Sequence, residues 1–167
     1  MPDLPHSASL RNGRWSEPGA GYLITHCRAP GLTLNLTDPA AADIIIRSIR
    51  WHQEQLSTHL LAFVVMPDHV HWVFILGESR SLDQVLKGFA SVTSRQIIQA
   101  YGLTPHVVWQ EEYHDHRLRS EEKTWAKVEY VHANPVRRGL CAGAEDWPWS
   151  TANPRFKGWV EEGFLAR

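Results

Sequence analysis

Residues 59–76 read HLLAFVVMPDHVHWVFIL, and much of the fold can be worked out from them. Two apolar runs, His59 to Met66 and His69 to Leu76, flank Pro67-Asp68. Each has the length of a buried strand and falls short of an ordinary core helix. A proline–aspartate pair between two such runs predicts a tight antiparallel hairpin of largely buried strands.

The flanking segments supply the rest of an alternating pattern. Gly21 to Arg28 (GYLITHCR) is β-rich and reads as the first strand. Asp38 before Pro39 is an N-cap with proline in the first turn. The helix it opens runs to about Leu56, with Ile44, Ile45, Ile49 and Leu56 as its expected core face. Downstream of the hairpin, Ser81 with Gln84 forms a capping box for a second helix, which runs to about Tyr101 and stops at Gly102. Val107 to Arg119 reads as a turn-broken extended segment. Ser120 caps a third helix whose first turn carries Glu121 and Glu122, the favourable end for acidic charge. Pro135 is expected to end that helix, because the residue before a proline is pushed out of the α region. The order β-α-β-β-α-β-α predicts an α+β fold of ferredoxin-like, split βαβ type, with a central antiparallel sheet and helices packed on it. A loose arm over residues 1–20, one domain over 21–157 and a tail over 158–167 complete the organisation.

Composition limits the function. The 167 residues are 43% hydrophobic and 21% charged, as expected of a folded chain rather than a disordered one. Lys and Arg number 17 against 18 Asp and Glu, which argues against a polycation that holds nucleic acid by bulk charge. Cys27 and Cys141 are the only cysteines and form no CxxC pair, so a zinc ribbon or a disulfide scaffold is unsupported. The first residues lack a signal-peptide core, and no apolar run reaches the roughly 18 to 20 residues that span a bilayer. These features read as a cytoplasmic protein with reduced thiols.

Ten histidines and eight tryptophans stand out, and His69 and His71 are the informative ones. In a strand, residues two apart share a face, so both imidazoles point one way while Val70 and Trp72 point the other. Two imidazoles side by side suit two legs of a metal site, since each ring nitrogen needs a partner that a dry core does not supply. The competing reading is a polar pair on a solvated strand face.

The third helix reads SEEKTWAKVEYVHANPVRRG from Ser120. At about 100° per residue, Lys123, Lys127, Tyr130 and Asn134 fall on one stripe, opposite Trp125, Val128 and His132. Tyr130 is thereby expected away from the main apolar face, beside two lysines and an amide. Asn134 reads as a helix-end residue and as a hard oxygen ligand suited to Mg²⁺ or Mn²⁺, and the two readings are compatible, because a helix end is also where a side chain can reach a metal. Tyr130 by itself reads as an ordinary half-exposed tyrosine.

The blocks MPDHVHW at 66–72, WQEEYHDHRLR at 109–119, EYVHANPVRRGL at 129–140 and DWPWS at 146–150 together resemble the single-tyrosine HUH transposases, and most closely the REP-associated tyrosine transposases of bacteria. The resemblance runs from about Gly21 to Phe156. It implies a ferredoxin-like core with the catalytic helix near the C-terminus. It also implies His69, His71 and Asn134 as ligands of a divalent metal, Mg²⁺ or Mn²⁺, and Tyr130 as the catalytic tyrosine. The implied partner is single-stranded DNA with imperfect, REP-like hairpins. The implied chemistry is cleavage through a 5′-phosphotyrosine with release of a 3′-hydroxyl, and rejoining without ATP. A nucleoid-associated cytoplasmic protein, monomer or homodimer, follows as the setting.

Further candidates come from residue type. Arg117, Arg119, Lys123, Lys127, Arg137, Arg138, Arg155 and Lys157 concentrate in the C-terminal half, as a phosphate track requires. Lys127, one turn before Tyr130, is placed to ease removal of the phenol proton or to hold the leaving strand. Trp109, Tyr113 and Trp149 are candidates for stacking on unpaired bases, with core packing as the alternative. Glu111 and Glu112 depart from the family pattern, where a basic residue is often found, and weaken the case for DNA contact at that loop. Two other functions compete: a hairpin-binding protein on the same fold without cleavage, and a small metallohydrolase using His69 and His71 with some of His114, His116 and carboxylates.

Overall fold

In a computed structural model, residues 16–104 and 107–164 are described. The expected arm before residue 16 and the last three residues of the tail lie outside them. The elements are β1 (Gly21–Cys27), α1 (Pro39–Glu54), β2 (Thr58–Val65), β3 (His69–Leu76), α2 (Leu82–Tyr101), β4 (His114–Leu118) and α3 (Glu121–Arg137), followed by short 3₁₀ turns. The four strands form one sheet in the order β2-β3-β1-β4, and every neighbouring pair is antiparallel. With helices between β1 and β2 and between β3 and β4, this is the expected split βαβ arrangement. Among the described residues no helix is long and apolar enough to cross a membrane.

Each face of the sheet has its own core. On one side Tyr22, Ile24, Val70, Trp72 and Phe74 meet Ile45 and Ile49 of α1 and Phe89 of α2, all of them buried. On the other, Leu23, Val73, Leu61, Val64 and Leu118 meet Val128 and Val131 of α3. Full burial of an aliphatic or aromatic side chain contributes about 1.5–3 kcal/mol, so both layers stabilise the sheet. α1 and α2 pack together on the first face, while α3 lies chiefly over β2 on the second. Toward its start, β4 leaves His114 and His116 exposed on that second face.

Local signals account for the element ends. Ser81 and Gln84 form the capping box, Gly102 is left-handed at φ 60°, and Ser120 accepts from Lys123 N–H. Three expectations need correction. Leu56 is not on the α1 core face; the helix ends at Glu54, and Leu56 is 63% exposed in a left-handed turn into β2. Trp125 is not on the buried side of α3 but 46% exposed, because the buried stripe runs Thr124, Val128, Val131 and Pro135. Nor does α3 end before Pro135. It continues to Arg137, and Gly139 closes it at φ 68° by donating to Val136 O at 2.9 Å while Leu140 N–H donates to Pro135 O at 2.9 Å. Burial of Asn134 and Pro135 against the sheet overrides the local preference against helix before proline.

A bulge in β2 decides which side chains meet α3. The register shifts between Leu60 and Ala62, so Ala62, Val64 and Met66 face α3, whereas strict alternation from Leu60 would turn them to the other side. Both ends of the described residues are tied in. Leu76 O accepts from Gly19 N–H, and Glu161 N–H donates to Leu60 O. Gln53 reaches the Trp159 carbonyl at 2.8 Å. Residues 158–164, read as part of a tail, therefore pack back on the domain.

Candidate functional site

The hairpin that sets the fold also places the first two site residues. Met66 N–H donates to His69 O at 2.8 Å across Pro67-Asp68, and Arg28 N–H donates to Asp68 O at 2.8 Å. β3 therefore starts at His69, opposite Cys27 of β1, and His71 falls opposite Thr25. Both imidazoles face α3 and both side chains belong to buried residues, each 7% exposed.

Each ring is anchored through Nδ1. The Asp68 carboxylate is 2.7 Å from His69 Nδ1, and the Thr25 hydroxyl is 2.8 Å from His71 Nδ1. The Nε2 atoms consequently point at one another, 3.2 Å apart. With its Nδ1–H donated to Asp68, His69 presents Nε2 as a lone pair. Burial lowers the His69 pKa despite the opposing Asp68 charge. His71 is lowered to about 3 by burial, with His69, Arg137 and Arg138 adding to it. Burial would raise the Asp68 carboxyl, but its hydrogen bond to His69, the His69 charge and Arg138 bring it below its ordinary value. Near neutral pH the pair is thus two uncharged imidazoles backed by one carboxylate.

α3 supplies the rest. Asn134 is 5% exposed, and its amide nitrogen lies 3.5 Å from His69 Nε2; half a turn about the amide axis brings its oxygen to that position. One helical turn earlier, Tyr130 is 42% exposed, its ring centroid 5.7 Å from that of His71. Two cations flank the phenol ring: the Arg137 guanidinium at 4.2 Å and the Lys127 ammonium at 5.6 Å from its centroid. The continuation of α3 through Pro135 is what brings Arg137, two turns beyond Tyr130, onto the same helix face. Arg138 lies 3.4 Å from Asp68. Tyr130, Asn134, both histidines, Thr25 and Arg137 line one open cleft of about 600 Å³.

Two imidazole Nε2 atoms and a side-chain amide converging in a cationic cleft suit a divalent metal, with Asp68 and Thr25 fixing the ligand rings from behind. Among the described residues, no three His, Cys, Asp or Glu side chains gather closely enough to hold a metal. His114 shares a rung with Thr25 and His71, so it lies two strands from His71, roughly 10 Å away. A hydrolase that adds some of His114, His116 and carboxylates to His69 and His71 therefore lacks its ligand cluster among the described residues.

The other sequence candidates divide. Arg137 and Arg138 line the cleft, Lys127 lies 5.6 Å from the Tyr130 ring centroid, and Lys123 lies exposed nearer the start of α3. Arg117 does not: it pairs with Glu17, and with Arg119 it lines a separate hollow at the far end of the strands. Trp109 is corrected from a base-stacking residue to a core residue, since it is 3% exposed, donates to Thr93 Oγ1 at 2.8 Å and packs on Phe89 and His26. Tyr113 is half-buried against His26, and Arg155 covers Trp149. Sequence reasoning missed Thr25, whose part depends on strand register, and the anchoring role of Asp68. The aspartate next to His69 was the available signal for the latter.

Known proteins agree with this architecture. Residues 35–134, more than half of the chain, match the family described as Transposase IS200 like. A REP-associated tyrosine transposase of Escherichia coli K12 is 31% identical over 90 residues, covering 54% of this chain and 52% of that protein. A Haemophilus influenzae protein provisionally named in the same way is 24% identical over 107 residues. The chain spans about half the length of these relatives. A solved REP-associated tyrosine transposase bound to a REP hairpin shares the fold, with a TM-score of 0.66 at 24% identity over 83% of this chain and 79% of that one.

Proposed function

The chain belongs to the IS200-like transposase family, and from that premise we propose that it cleaves and rejoins single-stranded DNA beside hairpins, with Tyr130 as nucleophile and a divalent metal held by His69, His71 and Asn134. The observation that carries this reading is the meeting of Tyr130 with those three donors and Arg137 in one cleft, with the Lys127 ammonium also beside the phenol ring. The hairpin substrate is taken from the structural neighbour, which is described as bound to a REP hairpin.

The phenol oxygen of Tyr130 attacks the scissile phosphorus; an O–P bond forms to the tyrosine and the bond to the 3′-oxygen breaks. The phenol proton is given up, the departing 3′-oxygen takes a proton to become a hydroxyl, and the 5′-phosphate stays on Tyr130. Attack by a 3′-hydroxyl on the phosphotyrosine reverses the exchange, so no nucleotide triphosphate is consumed. Arg137 and Lys127 hold phosphate oxygens beside the phenol, and Arg138 with Asp68 keeps the His69 ring in place. Mg²⁺ or Mn²⁺, when bound, would neutralise charge on the scissile phosphate. His69 and His71 serve as ligands in the uncharged form that their burial favours.

The test is incubation of the full chain with a labelled single-stranded hairpin oligonucleotide and Mn²⁺ or Mg²⁺. A protein–DNA adduct that survives denaturation is expected, and Tyr130→Phe should remove it. Cleavage that persists in Tyr130→Phe would overturn the tyrosine mechanism. Tight binding with no cleavage under any metal would instead identify a hairpin-binding protein.

A further inference from the structure

The face of the sheet opposite the cleft carries a second cavity, between α1 and α2. It measures about 490 Å³ and is lined by Arg47, Trp51, His52, Arg80, Gly88 and Gln96, among others. This is within the size range of small-ligand pockets. Its chemistry differs from that of a core defect. Trp51 is 44% exposed, and the Arg80 guanidinium sits 5.2 Å from its ring centroid. Neither Arg47 nor Arg80 forms an ion pair among the described residues, and no Asp or Glu is among the residues lining the cavity. His52 forms part of the floor and is 2% exposed; its ring meets Trp51 edge-on at 4.9 Å. At Gly88 a side chain would stand against the His52 ring, so glycine leaves that part of the floor open.

An exposed indole next to two guanidinium groups, neither with a carboxylate partner among the described residues, is the combination that recognises an aromatic ring bearing negative charge; Arg47 Nε donates to the Asp43 backbone carbonyl at 3.4 Å. We propose that this cavity binds one nucleotide, with its base on Trp51 and its phosphate between Arg47 and Arg80. The same chemistry is offered by an unpaired nucleotide within a DNA strand and by a free nucleoside phosphate. The site shares no residue with the cleft around Tyr130, so it stands or falls apart from the proposed cleavage.

The experiment uses the full chain carrying Tyr130→Phe, so that no covalent adduct confuses the readout. In one arm, the four deoxynucleoside 5′-monophosphates are titrated by calorimetry. In the other, a single-stranded oligonucleotide containing 5-bromouracil is irradiated and the crosslinked peptide is identified by mass spectrometry. Saturable binding in the first arm, or a crosslink at Trp51 in the second, supports the proposal and tells the free nucleotide from the strand. Trp51→Ala should weaken that binding about ten-fold or more, as loss of a stacking platform does. Arg80→Gln should weaken it further, and Gln96→Trp should obstruct the mouth. These side chains are exposed, so circular dichroism and unchanged adduct formation by the same variants on a Tyr130 background should show an intact fold. Absence of binding and crosslink in both arms overturns the proposal, as does binding unaltered by Trp51→Ala and Arg80→Gln together.

Discussion

β3 carries His69 and His71, and β4 carries His114 and His116. Both pairs have the same two-residue spacing, and both point to the face covered by α3. Their surroundings are nonetheless unlike. β3 is an interior strand, and its pair is buried, anchored at both Nδ1 atoms by Asp68 and Thr25, and met by Asn134 from a distant helix. β4 is an edge strand, and its histidines are exposed. Lys127, Arg119 and Lys123 add their charge to the burial that lowers the His116 pKa, while Asp115 opposes it. Spacing along a strand settles the face a pair occupies; a convergent donor set also needs neighbours brought from other elements.

The largest expected effect tests that contrast directly. His71→Ala should bring metal-dependent adduct formation down to background while leaving hairpin binding largely intact. His114→Ala should keep adduct formation within a few-fold of the parent. Equal losses in the two variants, measured by denaturing gel with the same labelled hairpin, would show that the contrast has no functional meaning.

Burial makes a second prediction. His26 and His52, both on the α1/α2 side of the sheet, are lowered to about 4, by burial alone for His26 and by burial followed by Arg80 for His52. In the unfolded chain they take up protons below about 6.5, whereas in the folded protein they resist until about 4. Their contribution to stability is therefore complete above pH 6.5 and is lost as pH falls toward 4, by up to about 3 kcal/mol for each. Urea unfolding at pH 7.5 and at pH 4.5 measures this, and a flat profile would contradict it.

Smaller effects follow for the anchors. Thr25→Val or Asp68→Asn should weaken Mn²⁺ binding by about 10- to 100-fold, the range typical of groups that orient ligand histidines. Calorimetric titration of the full chain reads this without any need for cleavage. Smallest is the contrast between the cations beside the phenol ring. Arg137→Gln removes the nearer one and should slow adduct formation about two- to five-fold, with Lys127→Gln costing less, as their distances from Tyr130 imply.

Much of this was legible before any coordinates. The Pro67-Asp68 hairpin, the Ser81 capping box, the Gly102 stop and the shared face of His69 and His71 are local or periodic features, and the structure has them as expected. The bulge at Leu60–Ala62 was not legible, because β2 is apolar from Leu60 onward and its pattern does not reveal which residues face which side. The choice between base stacking and core packing for Trp109 stays open in the sequence for a similar reason: an isolated tryptophan in an irregular segment does not reveal that Phe89, His26 and Thr93 surround it.

Residue order along single elements determined the strand faces, the caps and the one stripe that joins Lys127, Tyr130 and Asn134, because side-chain direction repeats with backbone geometry over a few residues. Three-dimensional packing decided where those stripes meet. The register of β1 on β3 put Thr25 behind His71, and burial of Asn134 and Pro135 carried α3 past the proline to place Arg137 on Tyr130. The reason is physical: pairing and burial between segments far apart in the chain can outweigh a local preference of about 3 kcal/mol, such as that of proline against helix, and no short window of sequence contains both partners.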